Sequence, residues 1–322
     1  MKREDPFSAT RVGIIEVGSH SVRFYVVDFK RDGSSTARET DSTLHRVGIA
    51  HPKADEVSEL GRIVDGYHGR LIEFNCDHVM TYGTEVCRQI SERQEYRLPA
   101  YLRALSPEEE ARASWAAGFL TVGSLTGAGR FTIVDQGAGS TEICTSSWSD
   151  MKAGRIEFNR LDIGHQGIME VFEYGSGYMK AIEEIKAIIA RFSNKLIRHA
   201  ATDKSEVCML GSVATKIAWH KVRTRRDEKY NLYRVNGARL SVNDIFEFHA
   251  YFLALYRKDR EQARIEIDAR KGAEDEIERV LSNSVYLMLL AASLKHKAIR
   301  VSGFGTRHGM AFLALKGLGT AS

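Results

Sequence analysis

Two short stretches of this chain carry the same order of residue types, and that order suits phosphate chemistry. The first is Glu16-Val17-Gly18-Ser19-His20-Ser21-Val22-Arg23, and the second is Asp135-Gln136-Gly137-Ala138-Gly139-Ser140-Thr141-Glu142. Each opens on an acid, has a glycine two residues on, a serine three after that, and a charged residue two further. Glycine admits positive φ and lets backbone N–H groups approach an oxyanion, and serine adds a donor. A carboxylate beside such a loop can hold a hard cation that bridges to phosphate. One copy alone reads equally well as an ordinary hairpin. Two copies in corresponding places predict two similar half-molecules facing one phosphate site.

The elements that must position these loops follow from the flanking patterns. Apolar runs lie on both sides of each copy, Val12 to Ile15 and Phe24 to Val27 around the first, Phe131 to Val134 and Ile143 onward around the second. They predict strand, tight turn, strand, with the acid ending the first strand. Val57, Leu60, Ile63, Val64, Tyr67 and Leu71 recur at helical spacing. His78 to Tyr82 reads as a strand, with a helix from Thr84, and Tyr101 to Leu105 as a short strand. Ser106-Pro107-Glu108-Glu109 has the chemistry of a helix start, with serine as N-cap, proline first and acids in the first turn. Further strands are expected at 154–162, Val207 to Leu210 and Ala298 to Ser302. Further helices are expected at 177–198, from Val213, at 241–258, at 272–296 and from Met310 to Leu315. Alternating strands and helices imply α/β layers in two similar domains. The stretch Gly123 to Gly129 is the linker candidate, so one domain takes 1–125 plus about 305–322 and the other 126–304.

The composition is that of an ordinary globular protein, 43% hydrophobic and 27% charged over 322 residues, enough for two cores. No apolar stretch is long enough to span a membrane, and the polar start Met1-Lys2-Arg3-Glu4-Asp5-Pro6 lacks a signal-peptide pattern. Cys76, Cys87, Cys144 and Cys208 lack Cys-x-x-Cys spacing, which argues against a zinc site or disulfide framework and fits the reduced cytoplasm. The eleven histidines show no ligand spacing, and a net charge of +4 is too small to argue for nucleic acid. The run Lys221-Val222-Arg223-Thr224-Arg225-Arg226 reads first as a solvated segment and second as a polyanion contact. Phe246, Phe248, Tyr251, Phe252 and Tyr256 read as the core face of a helix.

Taken in order, these residues resemble the exopolyphosphatase/guanosine pentaphosphate phosphatase (Ppx/GppA) family. Its members typically carry Asp-x-Gly-Ser-Asn-Ser-x-Arg where this chain has Glu16 to Arg23, and Ala-Thr-x-Ala-x-Arg where it has Gly83-Thr84-Glu85-Val86-Cys87-Arg88. They have Ser-Gly-x-Glu-Glu-Ala at a helix start, like Ser106 to Ala111, and Asp-x-Gly-Gly-Gly-Ser-Thr-Glu, like Asp135 to Glu142. A later turn resembles Gly211-Ser212-Val213-Ala214-Thr215, and a C-terminal Arg-Glu-Gly resembles Arg307-His308-Gly309. The Gly-Ser-Thr-Glu element is the most specific, and the length matches the short, two-domain members. Glu16 stands for Asp, His20 for Asn, Ala138 for the middle glycine and His308 for Glu, so the chain is divergent in its phosphate loops.

The resemblance implies two ribonuclease-H-like domains of the actin-like ATPase and sugar-kinase superfamily, closing on an active-site cleft. It implies Glu110 as catalytic carboxylate, Glu142 to orient water, and Asp135 and Glu16 to hold Mg²⁺, with Mn²⁺ as substitute. It implies Arg88 on phosphate oxygens and Ser19, His20, Gly137, Gly139, Ser140 and Gly211 around the substrate. Without it, Glu110 reads as a helix-start acid, Arg88 as a surface or structural ion pair, His20 as a turn cap, and Gly211 as a helix start. The expected reaction is hydrolysis of terminal phosphoanhydrides of polyphosphate or guanosine pentaphosphate by a cytoplasmic homodimer, with neither nucleic acid nor membrane as partner. The alternatives are a weakly catalytic sensor of polyphosphate or an alarmone, and a nucleotide-dependent kinase or ATPase, for which the second domain shows no adenosine-pocket signal. Fold analogy does not choose among them.

Overall fold

The apolar runs beside each glycine loop become the central hairpins of two sheets. The computed structural model describes residues 9–29, 35–45, 47, 52–93, 96–126, 129–174, 178–202, 206–225, 228–267, 276–294 and 298–318. The chain divides into two compact units, residues 1–113 with 310–322, and residues 114–309.

The first unit holds strands β1 (Thr10–Val17), β2 (Ser21–Phe29) and β3 (Ser35–Leu44), helix α1 (Ala54–Glu73), β4 (His78–Gly83), α2 (Glu85–Ser91) and β5 (Arg103–Ala104). Helix α3 (Pro107–Thr126) begins in this unit and ends in the second. The strands form one sheet in the order β3-β2-β1-β4-β5, with β1 antiparallel to β2 and parallel to β4. Both faces are covered, which is why β1 and β2 are continuous apolar runs instead of alternating ones. On one face Ile15, Val17, Phe24 and Val26 meet Val57, Leu60, Val64 and Leu71 of α1 and Val86 and Ile90 of α2. On the other, Val12, Ile14, Tyr25 and Val27 meet Ala113, Met310 and Ala311.

The second unit holds β6 (Phe131–Gln136), β7 (Thr141–Ser146), α4 (Trp148–Lys152), β8 (Glu157–Leu161), α5 (His165–Tyr174), α6 (Tyr178–Thr202), β9 (Val207–Leu210) and α7 (Ser212–Val222). It continues through α8 (Leu232–Val235), β10 (Arg239–Leu240), α9 (Val242–Lys258), α10 (Arg260–Glu266), α11 (Glu276–Ser293) and β11 (Ile299–Val301), and the chain closes with α12 (Thr306–Leu315). The sheet order is β10-β11-β9-β6-β7-β8. Read from β8, it repeats the first sheet: an antiparallel third-second-first meander, then two strands parallel to the first, with β10 added at the edge. The two units are therefore two copies of one α/β design, as the paired loops implied. The core of this unit joins Val134, Ile143, Val207 and Met209 of the sheet to Ile217, Phe248, Phe252, Tyr286 and Leu290 of the helices.

Several elements differ from expectation, each for a local reason. Strand β5 is only two residues long, because Pro99 O accepts the Leu102 N–H and turns the chain there. Strand β3 carries Ser35-Thr36-Ala37-Arg38-Glu39-Thr40-Asp41-Ser42-Thr43-Leu44, an exposed polar edge with no apolar alternation to announce it. Helix α12 starts at Thr306, four residues before Met310. Helix α11 covers 276–293 of the expected 272–296, and 272–275 and 295–296 lie outside the described residues. Phe248 and Phe252 are core, but Phe246 faces solvent. The basic run is not simply solvated: the Arg223 side chain is largely buried, donating to Glu266 Oε1 at 3.1 Å and to His220 Nδ1 at 2.8 Å. Arg226 lies outside the described residues. Among the described residues, no helix is long and apolar enough to cross a membrane.

Candidate functional site

Both glycine loops share one backbone geometry. Gly18 donates its N–H to Ser21 O at 3.0 Å, and Gly137 donates to Ser140 O at 2.9 Å. Ser19 and His20 occupy the first turn, with the His20 side chain exposed; Ala138 and Gly139 occupy the second. The two loops are secured differently. In the first unit the buried His45 ring meets Gly18 O through Nε2 at 2.8 Å, while its Nδ1 accepts the Val47 N–H at 3.3 Å. The acceptor role of Nδ1 places the proton on Nε2, which donates to the loop. Burial pushes the His45 pKa down, which keeps that tautomer neutral.

In the second unit the first turn of α5 clamps the loop. His165 N–H donates to Gly137 O at 2.9 Å and Gln166 N–H to Ala138 O at 3.1 Å. The loop lies so close to Gly164 that a Cβ there would fall 2.3 Å from Ala138 O. Asn283 reinforces the clamp from α11, accepting from Gln136 Nε2 at 2.6 Å and donating to His165 O at 2.9 Å. Gly211, at φ +110°, brings the start of α7 against the end of β6, where a Cβ would meet Gln136 O at 2.8 Å. We expect Gly164→Ala to destabilise the protein by about 1–3 kcal/mol, because the new methyl displaces backbone and not a flexible side chain. Urea unfolding measures this, and a midpoint equal to wild type would show that the loop yields without cost.

The acids are distributed unequally between the copies. In the first, Glu16 pairs across the hairpin with Arg23, and Arg23 Nη1 lies 3.3 Å from Glu16 Oε2. In the second, Asp135 pairs with Glu142 in the equivalent register. Cross-strand partners point to the same face, so the first copy presents acid against cation, whereas in the second Glu142 lies between Asp135 on β6 and Arg160 on β8. Glu142 is 2% exposed and accepts the Ser140 hydroxyl at 2.6 Å, which commits that hydroxyl to the acid. Asp135 Oδ2 accepts from Ser114 Oγ at 2.6 Å. Cys144, buried behind the pair, has its thiol pKa pushed well up, chiefly by burial and then by Asp135 and Glu142.

Glu110 and Arg88 meet in the first unit. Ser106 and Glu109 close a capping box, with Ser106 Oγ accepting the Glu109 N–H at 3.2 Å and Glu109 Oε2 accepting the Ser106 N–H at 2.8 Å. Glu109, also paired with Arg103, is thus the helix-start acid of the run. Glu110 points elsewhere, accepting from Arg88 Nη1 at 2.9 Å. Arg88 also gives Nη1 to Leu105 O at 2.7 Å, and Nε and Nη2 to Glu85 Oε2 at 3.3 and 2.8 Å. Burial works against its charge, but Glu110 and Glu85 outweigh burial and hold its pKa above the ordinary value. Four of the roughly five guanidinium N–H bonds are therefore committed, so in this geometry Arg88 chiefly holds Glu110.

The sequence-expected residues thus fall into two sets: Glu16, Ser19, His20, Arg88 and Glu110 in the first unit, and Asp135, Gly137, Gly139, Ser140, Glu142 and Gly211 in the second. Sequence reasoning missed His45, Ser114, Gly164, Asn283 and Thr306. Only Gly164 carried a signal, a glycine between a strand and a helix. For a divalent cation the second loop supplies the suitable donors. Mg²⁺ takes one or two carboxylates and completes its shell with water and phosphate oxygens. Asp135, beside a second acid, fits that need. Glu16 already has Arg23 as its cation. Among the described residues, no three His, Cys, Asp or Glu side chains gather as an all-protein metal cage.

Comparison with known proteins places this geometry. A model of the Ppx/GppA phosphatase family matches residues 53–317. Exopolyphosphatase 1 of Mycobacterium tuberculosis and that of Mycobacterium bovis are each 27% identical over 146 residues, 41% of this chain and 41% of theirs. The match thus spans about two fifths of the length of these curated relatives. Among solved structures, an Aquifex aeolicus member of the Ppx/GppA family superposes with a TM-score of 0.74 at 18% identity, covering 98% of this chain and 100% of that one. An exopolyphosphatase from Cytophaga hutchinsonii superposes with a TM-score of 0.70 at 15% identity, covering 97% and 100%. At these identities the structural likeness speaks for the fold.

Proposed function

The chain belongs to the Ppx/GppA phosphatase family, and from that premise we propose that it hydrolyses terminal phosphoanhydride bonds of inorganic polyphosphate, and of guanosine pentaphosphate by the same chemistry. The observation that carries this reading is the Asp135–Glu142 pair beside a glycine loop, a concentration of acid that suits a cation-bearing polyanion. Water attacks the terminal phosphorus, a new P–O bond forms, the bridging P–O bond breaks, and orthophosphate leaves with the chain one unit shorter. Glu110 accepts the water proton and Glu142 orients the water. Loop N–H groups and Ser19 face phosphate oxygens, with His20 and Gly211 bordering the substrate. Asp135 is the carboxylate that would hold Mg²⁺ or Mn²⁺, whose contribution is to neutralise phosphate oxygens. Arg88 contributes mainly by fixing Glu110, and Glu16 stays with Arg23.

The test is phosphate release from polyphosphate and from guanosine pentaphosphate, side by side, with and without Mg²⁺. A second reading, binding without useful turnover, draws support from the commitment of Arg88 to carboxylates and of the Ser140 hydroxyl to Glu142. Binding of polyphosphate with no phosphate released from either substrate would establish that reading instead.

Restoring the usual first loop probes the divergence. We expect the double variant Glu16→Asp, His20→Asn to keep or raise polyphosphate hydrolysis. The shorter acid draws back from Arg23, and asparagine supplies an amide donor in the exposed turn. A folded double variant that loses activity present in the wild type would assign Glu16 and His20 to a different substrate geometry.

A further inference from the structure

Two helices bring hydroxyls to one oxygen of Asp135. From α3, Ser114 Oγ donates to Oδ2 at 2.6 Å; from the first residue of α12, Thr306 Oγ1 donates to the same oxygen at 3.4 Å. The two hydroxyl oxygens are 3.3 Å apart. Ser114 is fully buried and Thr306 is 8% exposed. Ser114 lies among Ala113, Trp115, Ala116 and Ala117, all fully buried, so its hydroxyl interrupts an apolar stretch of helix. A hydroxyl in such surroundings is costly unless it is bonded, and here it is bonded to the acid. Nothing local produces the cluster, since Ser114 is 21 residues from Asp135 in sequence and Thr306 is 171.

Asp135 faces a like charge, Glu142, in cross-strand register. A carboxylate so placed relieves the repulsion by rotating away from its neighbour. Two O–H donors on one oxygen oppose that response, because they fix the rotamer. Hydrogen-bond partners of this kind orient a metal-binding carboxylate and tune its basicity.

We infer that Ser114 and Thr306 are positioning residues that hold the Asp135 carboxylate in a single orientation for a divalent cation. The inference rests on the reading of Asp135 as the cation's carboxylate. Ser114 makes the larger contribution, because 3.4 Å is long for an O–H···O bond.

The test uses the full chain with Mn²⁺ as probe, in the presence of inorganic phosphate and without polyphosphate, so that binding is read by calorimetry apart from turnover. Melting temperatures in chelator report structural damage separately. Ser114→Ala is expected to weaken Mn²⁺ binding about tenfold. Thr306→Val, which keeps the shape and removes the hydroxyl, should weaken it less, and Thr306→Ser should bind as wild type. Should Ser114→Ala fail to fold, the contrast between Thr306→Val and Thr306→Ser decides. Asp135→Asn separates the two levels of argument. If Asp135→Asn loses Mn²⁺ while Ser114→Ala and Thr306→Val keep wild-type affinity, the hydroxyls only fill space, and the inference fails with the metal assignment intact. If Asp135→Asn binds Mn²⁺ as wild type does, the metal assignment falls and the inference with it.

Discussion

Glu110→Gln is expected to lower phosphate release by about 10²–10⁴-fold, the usual worth of a general acid–base group, while the fold stays intact. The substitution is nearly isosteric, and the amide oxygen can still accept from Arg88 Nη1, now 2.9 Å from Glu110 Oε2. Arg88 also keeps Glu85 as a counter-charge, so no buried cation is left without an anion. The variant removes the basicity of one carboxylate and little else. Glu109→Gln is the matched control. Glutamine preserves the capping box with Ser106, and the lost pair with Arg103 is partly exposed. Glu109→Gln should therefore leave both rate and melting temperature close to wild type. A folded Glu110→Gln protein with wild-type turnover would remove Glu110 from the mechanism and leave its bond to Arg88 as a purely structural pair.

That control also shows where the sequence stops. Within Glu108-Glu109-Glu110 all three acids have the composition of a helix start, and the spacing from Ser106 assigns Glu109 to the cap. The destination of Glu110 depends on Arg88, 22 residues away, and so on the parallel placement of β1 and β4 that brings α2 alongside. The glycine loops were legible because each is a contiguous stretch whose chemistry is local, and their recurrence announced two sheets of one design. What the loops do electrostatically was not legible. The eighth residue of each copy is charged, but only register shows that Arg23 faces Glu16 whereas Glu142 faces Asp135. Strand β3 was missed because an exposed polar edge has no periodicity to read. Ser114 and Thr306 were missed because each looks like an unremarkable small residue until distant elements meet at Asp135.

Asp135→Asn is expected to separate stability from function. Asparagine retains an oxygen that can accept from Ser114, so the hydroxyl does not become a buried orphan. The charge opposite Glu142 disappears, and directly opposed like charges are destabilising by up to about 1 kcal/mol across a strand pair. In chelator the variant should therefore melt at or above the wild-type temperature. Its Mg²⁺ requirement should move the other way, with the half-saturating concentration for phosphate release rising at least about tenfold, because the remaining acid is Glu142, already bonded to Ser140. A cation that relieves the acid pair also predicts that Mg²⁺ raises the melting temperature of the wild type more than that of the variant. A Mg²⁺ titration unchanged by the substitution would remove Asp135 as a cation ligand. A lower melting temperature in chelator would mean that the Asp135–Glu142 pair is not a site of stored repulsion, and that the acid contributes to the fold through its bonds to Ser114 and Thr306. The opposite signs are expected because proteins concentrate unfavourable like charge where a ligand will later compensate it, at a cost in the stability of the unliganded fold.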